Sequence, residues 1–178
     1  MTAALATLQK HRKVLLIDLV LLLALYLVPS ITHLTAIPLY MLEPMRLALL
    51  VALLFTNRAN AYFIALTIPL ASTLISGHPP PLKAVLMGVE FTILVASFGF
   101  FLDRLRIPAF AAVTAAILLS KVVYYSMKSL ALSAGWLSGG LISTPLKTQL
   151  VLALGTAAVF GLVAYYRQGK NPDFHSEL

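Results

Sequence analysis

Apolar runs of membrane-spanning length recur along most of this 178-residue chain, and no other property restricts its fold so severely. In lipid every backbone N–H and C=O must be satisfied internally, so helices or a closed barrel are the available solutions. A barrel reads as short segments of alternating polarity. Here the runs are continuous, 60% of residues are hydrophobic, and only 11% are charged. The chain is therefore expected to be all-α: a polytopic membrane protein, one domain, a bundle of six transmembrane helices.

The predicted spans are 14–31, 43–56, 61–75, 82–102, 107–132 and 146–166. Pro44 suits a first helical turn. Pro69 is expected to bend the third span. The three prolines Pro79–Pro81 fix φ and donate no N–H, so helix is not expected there. Asn57 to Asn60 reads as a tight polar turn. Between spans one and two, residues 29–42 form a loop without Lys or Arg, expected to fold over the bundle or lie in the interface. Residues 133–145 form a Gly/Ser-rich loop around Trp136, and residues 167–178 form a polar tail.

Charge asymmetry sets the expected orientation. The basic arm (Lys10, Arg12, Lys13), Arg58, Arg104, Arg106, Arg167 and Lys170 fall on one side; Lys83, Lys128 and Lys147 fall on the other. The positive-inside rule then places both termini in the cytoplasm of a bacterial inner membrane. The net charge of +7 is spread over helix ends rather than clustered, which argues against nucleic-acid binding.

The informative residues are the charges inside the apolar runs, because an ionised group in a bilayer needs a partner or a wet cavity. Lys83 and Glu90 are two helical turns apart, about 10 Å along one face. Glu43 and Arg46 are three apart and share a face. Lys121 is about 21 Å from Ile107, beyond the midplane, and Lys128 continues its face with Tyr124 and Tyr125 nearby. With His78, these groups fall in the outer half of the bundle. The inner half holds Asp18, expected to pair with Lys13 or Arg12. Two carboxylates against four Lys/Arg leave a cationic surplus that suits an anionic ligand. The expected substrate-binding residues are Glu43, Arg46, His78, Lys83, Glu90, Lys121 and Tyr124, with Arg46, Lys83 and Lys121 on the anion. His33 and His78 lack any metal-ligand spacing, so no metal and no cofactor are expected. The absence of H-E-x-x-H, G-x-S-x-G, a phosphate-binding loop and cysteine argues against an enzyme.

Glu43-Pro44-Met45-Arg46, and Gly77-His78-Pro79 followed by Lys83 and Glu90, set in six helices with a long first outer loop, resemble the substrate-binding S components of energy-coupling factor (ECF) transporters. The resemblance implies uptake of a vitamin-like solute held near the outer side. It also implies a membrane coupling subunit and ATPase subunits on other chains. In that family helix 1 carries an alanine-xxx-alanine face for the coupling subunit. Here residues 14–20 lack it, and Ala61 with Ala65 would supply the partner interface. The competing expectation is an accessory or assembly subunit of a larger membrane complex, whose charges satisfy one another or a neighbouring chain.

Overall fold

In the computed structural model, the described residues are 12–24, 26–27, 42–142 and 145–170, with side chains described as far as Arg167. The part of the basic arm before Arg12, residues 29–41 of the loop expected at 29–42, with His33, and the tail beyond Lys170 lie outside them. Helix α1 covers residues 12–24 and 26–27. It is followed by α2 (Pro44–Phe55), α3 (Arg58–Ser76), α4 (Pro81–Asp103), α5 (Ala109–Ser133) and α6 (Leu146–Lys170). No strand occurs among the described residues. Among the described residues four helices, α3 to α6, are long and apolar enough to cross a membrane.

Local chemistry explains most boundaries. Asn57 caps α3, its Oδ1 accepting from the Asn60 N–H at 2.9 Å. The stretch read as a polar turn is therefore the first turn of a helix. Pro81 is the first residue of α4, which corrects the expectation of no helix at that position. A first-turn proline gives up an N–H that has no intrahelical acceptor, and its fixed φ suits the helix. Pro69 lies within α3, which runs unbroken through it. The carbonyl that Pro69 leaves without its i+4 donor belongs to Ala65. That oxygen is 3.8 Å from where a Cβ on Gly88 would stand, so α4 comes close where α3 lacks a backbone bond.

Successive helices run antiparallel, as contacts at both ends require. Arg58 at the start of α3 pairs with Asp103 at the end of α4. Phe110 near the start of α5 meets Gly161 late in α6, while Tyr125 late in α5 bonds Gln149 early in α6. The Arg167 guanidinium sits 5.1 Å from the Phe55 ring centroid, joining the ends of α6 and α2. Asp18 in α1 accepts from Asn60 Nδ2 at 2.9 Å, so its hydrogen bond runs to α3 rather than to the expected Lys13 or Arg12.

Helix α2 is short, yet seven of its twelve residues are buried, among them Leu49, Ala52 and Leu53 at 1% exposure or less. It is enclosed by the bundle rather than spread along its edge. Helix α4 is the other central element, with Leu94, Val95 and Phe98 in the same core. Phe98 meets Phe160 of α6 edge-on at 5.2 Å. Ala61 and Ala65, expected to face a partner chain, are fully buried in this core. Their missing side-chain bulk is used to seat the protein's own helices, which corrects the partner-interface expectation. Helix α1, by contrast, leaves Leu15, Leu16, Leu19 and Val20 exposed by more than 60%.

Glycine content discriminates two sites on α6. A Cβ at Gly161 would stand 2.8 Å from the Phe110 Cβ and 3.2 Å from its Cα, whereas one at Gly155 meets nothing within 4 Å. Gly161→Ala is expected to cost about 1–3 kcal/mol through overpacking. Gly155→Ala is expected to be neutral or to gain up to about 1 kcal/mol of helix propensity. Thermal unfolding of both variants in detergent checks this; equal midpoints would remove the close α5–α6 approach.

Candidate functional site

The antiparallel order brings the starts of α2, α4 and α6 and the late part of α5 to one end of the bundle. There a cavity of about 330 Å³ opens between them. All seven residues expected to bind substrate line it: Glu43, Arg46, His78, Lys83, Glu90, Lys121 and Tyr124. They come from α2, the turn before α4, α4 itself and α5.

At its floor, four of these residues form a closed ionic ring. Arg46 donates through Nη1 to Glu43 Oε2 and through Nη2 to Glu90 Oε1. Lys121 Nζ donates to Glu43 Oε1 at 2.6 Å and lies 3.8 Å from Glu90 Oε1. Side chains of Arg46 and Glu90 are each 4% exposed. Ions so deeply buried demand compensation, and here two carboxylates meet two cations, so the ring is neutral as a unit. Glu43 reaches both cations from an unusual backbone: it precedes α2 at φ 50°, ψ 55°. Left-handed conformation in a non-glycine residue costs about 1–2 kcal/mol, and here it accompanies two ion pairs. Arg46 Nε is buried without a hydrogen-bond partner among the described residues.

Two further cations line the same cavity. The Lys83 ammonium, half-buried, makes neither ion pair nor hydrogen bond among the described residues. Lys128, 5% exposed, donates to the Leu141 carbonyl at 2.7 Å and lies within electrostatic reach of Lys83 and Lys121. The other described carboxylates, Asp18 and Asp103, are engaged at the opposite end of the bundle. The cavity lining thus carries a surplus of two positive charges with His78 neutral.

Around these charges the wall is apolar and aromatic. Met45, Met87 and Phe91 line it, and Tyr124 and Tyr125 meet edge-on at 5.4 Å. Lys121 Nζ stands 6.0 Å from each tyrosine ring centroid, at the outer limit of a cation–π contact. The Tyr125 hydroxyl donates to Gln149 Oε1 at 2.8 Å. His78 is exposed at the rim, where the His78–Pro79 peptide is cis and Pro79 is buried.

Gln149 and the apolar wall were not foreseen as site residues. Gln149 gave a faint signal, a polar residue one turn into an apolar span; Met45, Met87 and Phe91 gave none, being indistinguishable from core. No cluster of three His, Cys, Asp or Glu suited to a metal occurs among the described residues. Comparisons with protein-family models, curated proteins and solved structures each found no match.

The ring makes a double-mutant prediction. Arg46→Met leaves two carboxylates, Glu90 among them buried, to share Lys121 with one negative charge uncompensated, and is expected to cost about 3–5 kcal/mol. Adding Glu90→Gln removes the uncompensated charge and is expected to recover a substantial part of that loss. Chemical denaturation in detergent measures both; simple additivity would mean that the four groups do not act as one unit.

Proposed function

We propose that this chain is the solute-binding membrane subunit of an uptake transporter, in the manner of the S components it resembles, and that its solute is small and anionic. The observation that carries the reading is the cavity between α2, α4, α5 and α6. Its volume is at the low end of the range of small-molecule sites. Its lining combines apolar walls with a cationic surplus buried in an otherwise apolar bundle, where ionisable groups default to function.

In this reading the chain crosses a bacterial inner membrane six times with both termini in the cytoplasm. The distribution of charge supports that orientation. Arg12, Lys13, Arg58, Arg104, Arg106 and Arg167 gather at the end away from the cavity, and the positive-inside rule assigns such an end to the cytoplasm. The cavity then faces the outside, where solute is captured. Energy would come from a coupling subunit and ATPases on other chains, which would meet a surface other than the buried Ala61–Ala65 face.

A second reading draws on the neutral ring. Glu43, Arg46, Glu90 and Lys121 satisfy one another, as an accessory subunit of a larger membrane complex would need. The two are separated by native mass spectrometry of the chain extracted in mild detergent. Uptake predicts a retained small molecule of a few hundred daltons, reduced in Lys83→Met at unchanged thermal stability. Extraction as part of a large complex with no retained small molecule would favour the scaffold.

A further inference from the structure

Within the uptake reading, on which this step rests, the cavity offers two kinds of polar surface, set apart along α4. The first is the ionic ring, whose halves are unequally buried. Side chains of Arg46 and Glu90 are each 4% exposed, whereas Glu43 is 22% and Lys121 18% exposed. The half within reach of a solute is therefore Glu43 with Lys121; both line the cavity and they bond each other at 2.6 Å. Neither has used its full capacity. An ammonium has three donors; Lys121 spends one on Glu43, and Glu90 Oε1 at 3.8 Å is beyond hydrogen-bond range. Each Glu43 oxygen accepts one bond, from Arg46 or from Lys121, and a carboxylate oxygen has room for a second. Spare donor and spare acceptor thus stand side by side in a ring that sums to zero charge. An anion placed there meets the Glu43 carboxylate as well as Lys121 and gains little. A neutral group that both donates and accepts, such as the edge of an amide, fits both.

The second surface is Lys83, half-buried in the lining, with neither ion pair nor hydrogen bond among the described residues. Helix α4 begins at Pro81, so Lys83 stands toward the mouth and Glu90 two turns further in, about 10 Å along the axis. Met87 lines the cavity between them. We propose that the solute lies lengthwise in this cavity, with a carboxylate or other oxyanion on Lys83 at the mouth and an amide-like donor–acceptor edge on Glu43 and Lys121 at the floor. Its apolar middle rests on Met87 and Tyr124. Lysine suits the charged end as a compact point charge with three rotatable donors. The roles expected from sequence shift accordingly. Lys83 remains the anion contact, Lys121 takes the neutral end, and Arg46 is taken up by the two carboxylates.

The test uses the full chain in detergent at neutral pH and four probes on one frame. Para-carbamoyl hydrocinnamate carries both ends. Its methyl ester lacks the anion, hydrocinnamate lacks the amide, and para-carboxy hydrocinnamate puts a second carboxylate in the amide's place. Calorimetric titration is expected to show the carbamoyl acid binding at least about tenfold more tightly than each of the other three, the worth of one hydrogen-bonding contact to a charged group. In Lys83→Met, with folding checked by its thermal midpoint, the advantage over the ester is expected to shrink to within about threefold, while the advantage over hydrocinnamate persists. An ester, a diacid or plain hydrocinnamate that binds as tightly as the carbamoyl acid would overturn the assignment. So would an advantage over the ester that survives Lys83→Met, or no binding by any probe. The uptake reading is judged apart from this, by retained solute: a co-purified compound without an acidic group would refute this arrangement and leave uptake standing.

Discussion

The guanidinium of Arg46 is the interaction on which the rest of this bundle depends. It donates hydrogen bonds to both carboxylates of the ring, Glu43 before α2 and Glu90 in α4. Lys121 then ties Glu43 to α5. Three helices that pack through apolar contacts elsewhere are thus held in register by charge at one end. In an apolar medium such a ring is costly to form and far more costly to break, because removing any member strands another. Such a ring specifies geometry more than it adds stability. It fixes where α2, α4 and α5 stand relative to one another, and therefore where the cavity opens.

That geometry depends on the packing further along the same helices. Helix α2 is short and enclosed, so Arg46 has no route to a lipid headgroup and must be satisfied inside. Ala61, Ala65 and Gly88 let α3 approach α4, and Gly161 lets α6 approach Phe110 of α5. Without a hydrophobic driving force between helices in lipid, close approach at small residues supplies much of the association energy. Small residues therefore close the bundle away from the cavity, while larger and charged ones keep the cavity end open. The same chain is tightly packed where Phe98 and Phe160 meet and hollow where Lys83 and Lys128 line the cavity.

The hollow is chemically divided. On one side four charges cancel; Lys83 and Lys128 line the same hollow outside that ring. The aromatic and thioether walls add shape and dispersion without competing for the charge. Tyr124 and Tyr125 line the same cavity close to Lys121, and the Tyr125 hydroxyl donates to Gln149.

Much of this was legible in the order of residues. Continuous apolar runs dictate helices, since lipid leaves the backbone no other partner. Charges inside those runs announce a site, because burial makes each one expensive. Helical spacing put Lys83 with Glu90 and Lys121 with Tyr124 on common faces, and all of them line one cavity. Boundaries were less legible at Asn57 and Pro81, where a cap and a first-turn proline extend helices into stretches that read as turns. What the sequence could not supply is pairing between helices. Whether Ala61 and Ala65 face a partner or the core, whether Asp18 meets Lys13 or Asn60, and which cations Glu43 and Glu90 neutralise are decided by which helices are neighbours. The sequence by itself determined that charge would be buried in an apolar bundle, because hydropathy is a local property of the chain. Only the tertiary structure decided which charges cancel and which remain, because cancellation depends on distances of a few ångströms between residues as far apart as Glu43 and Lys121.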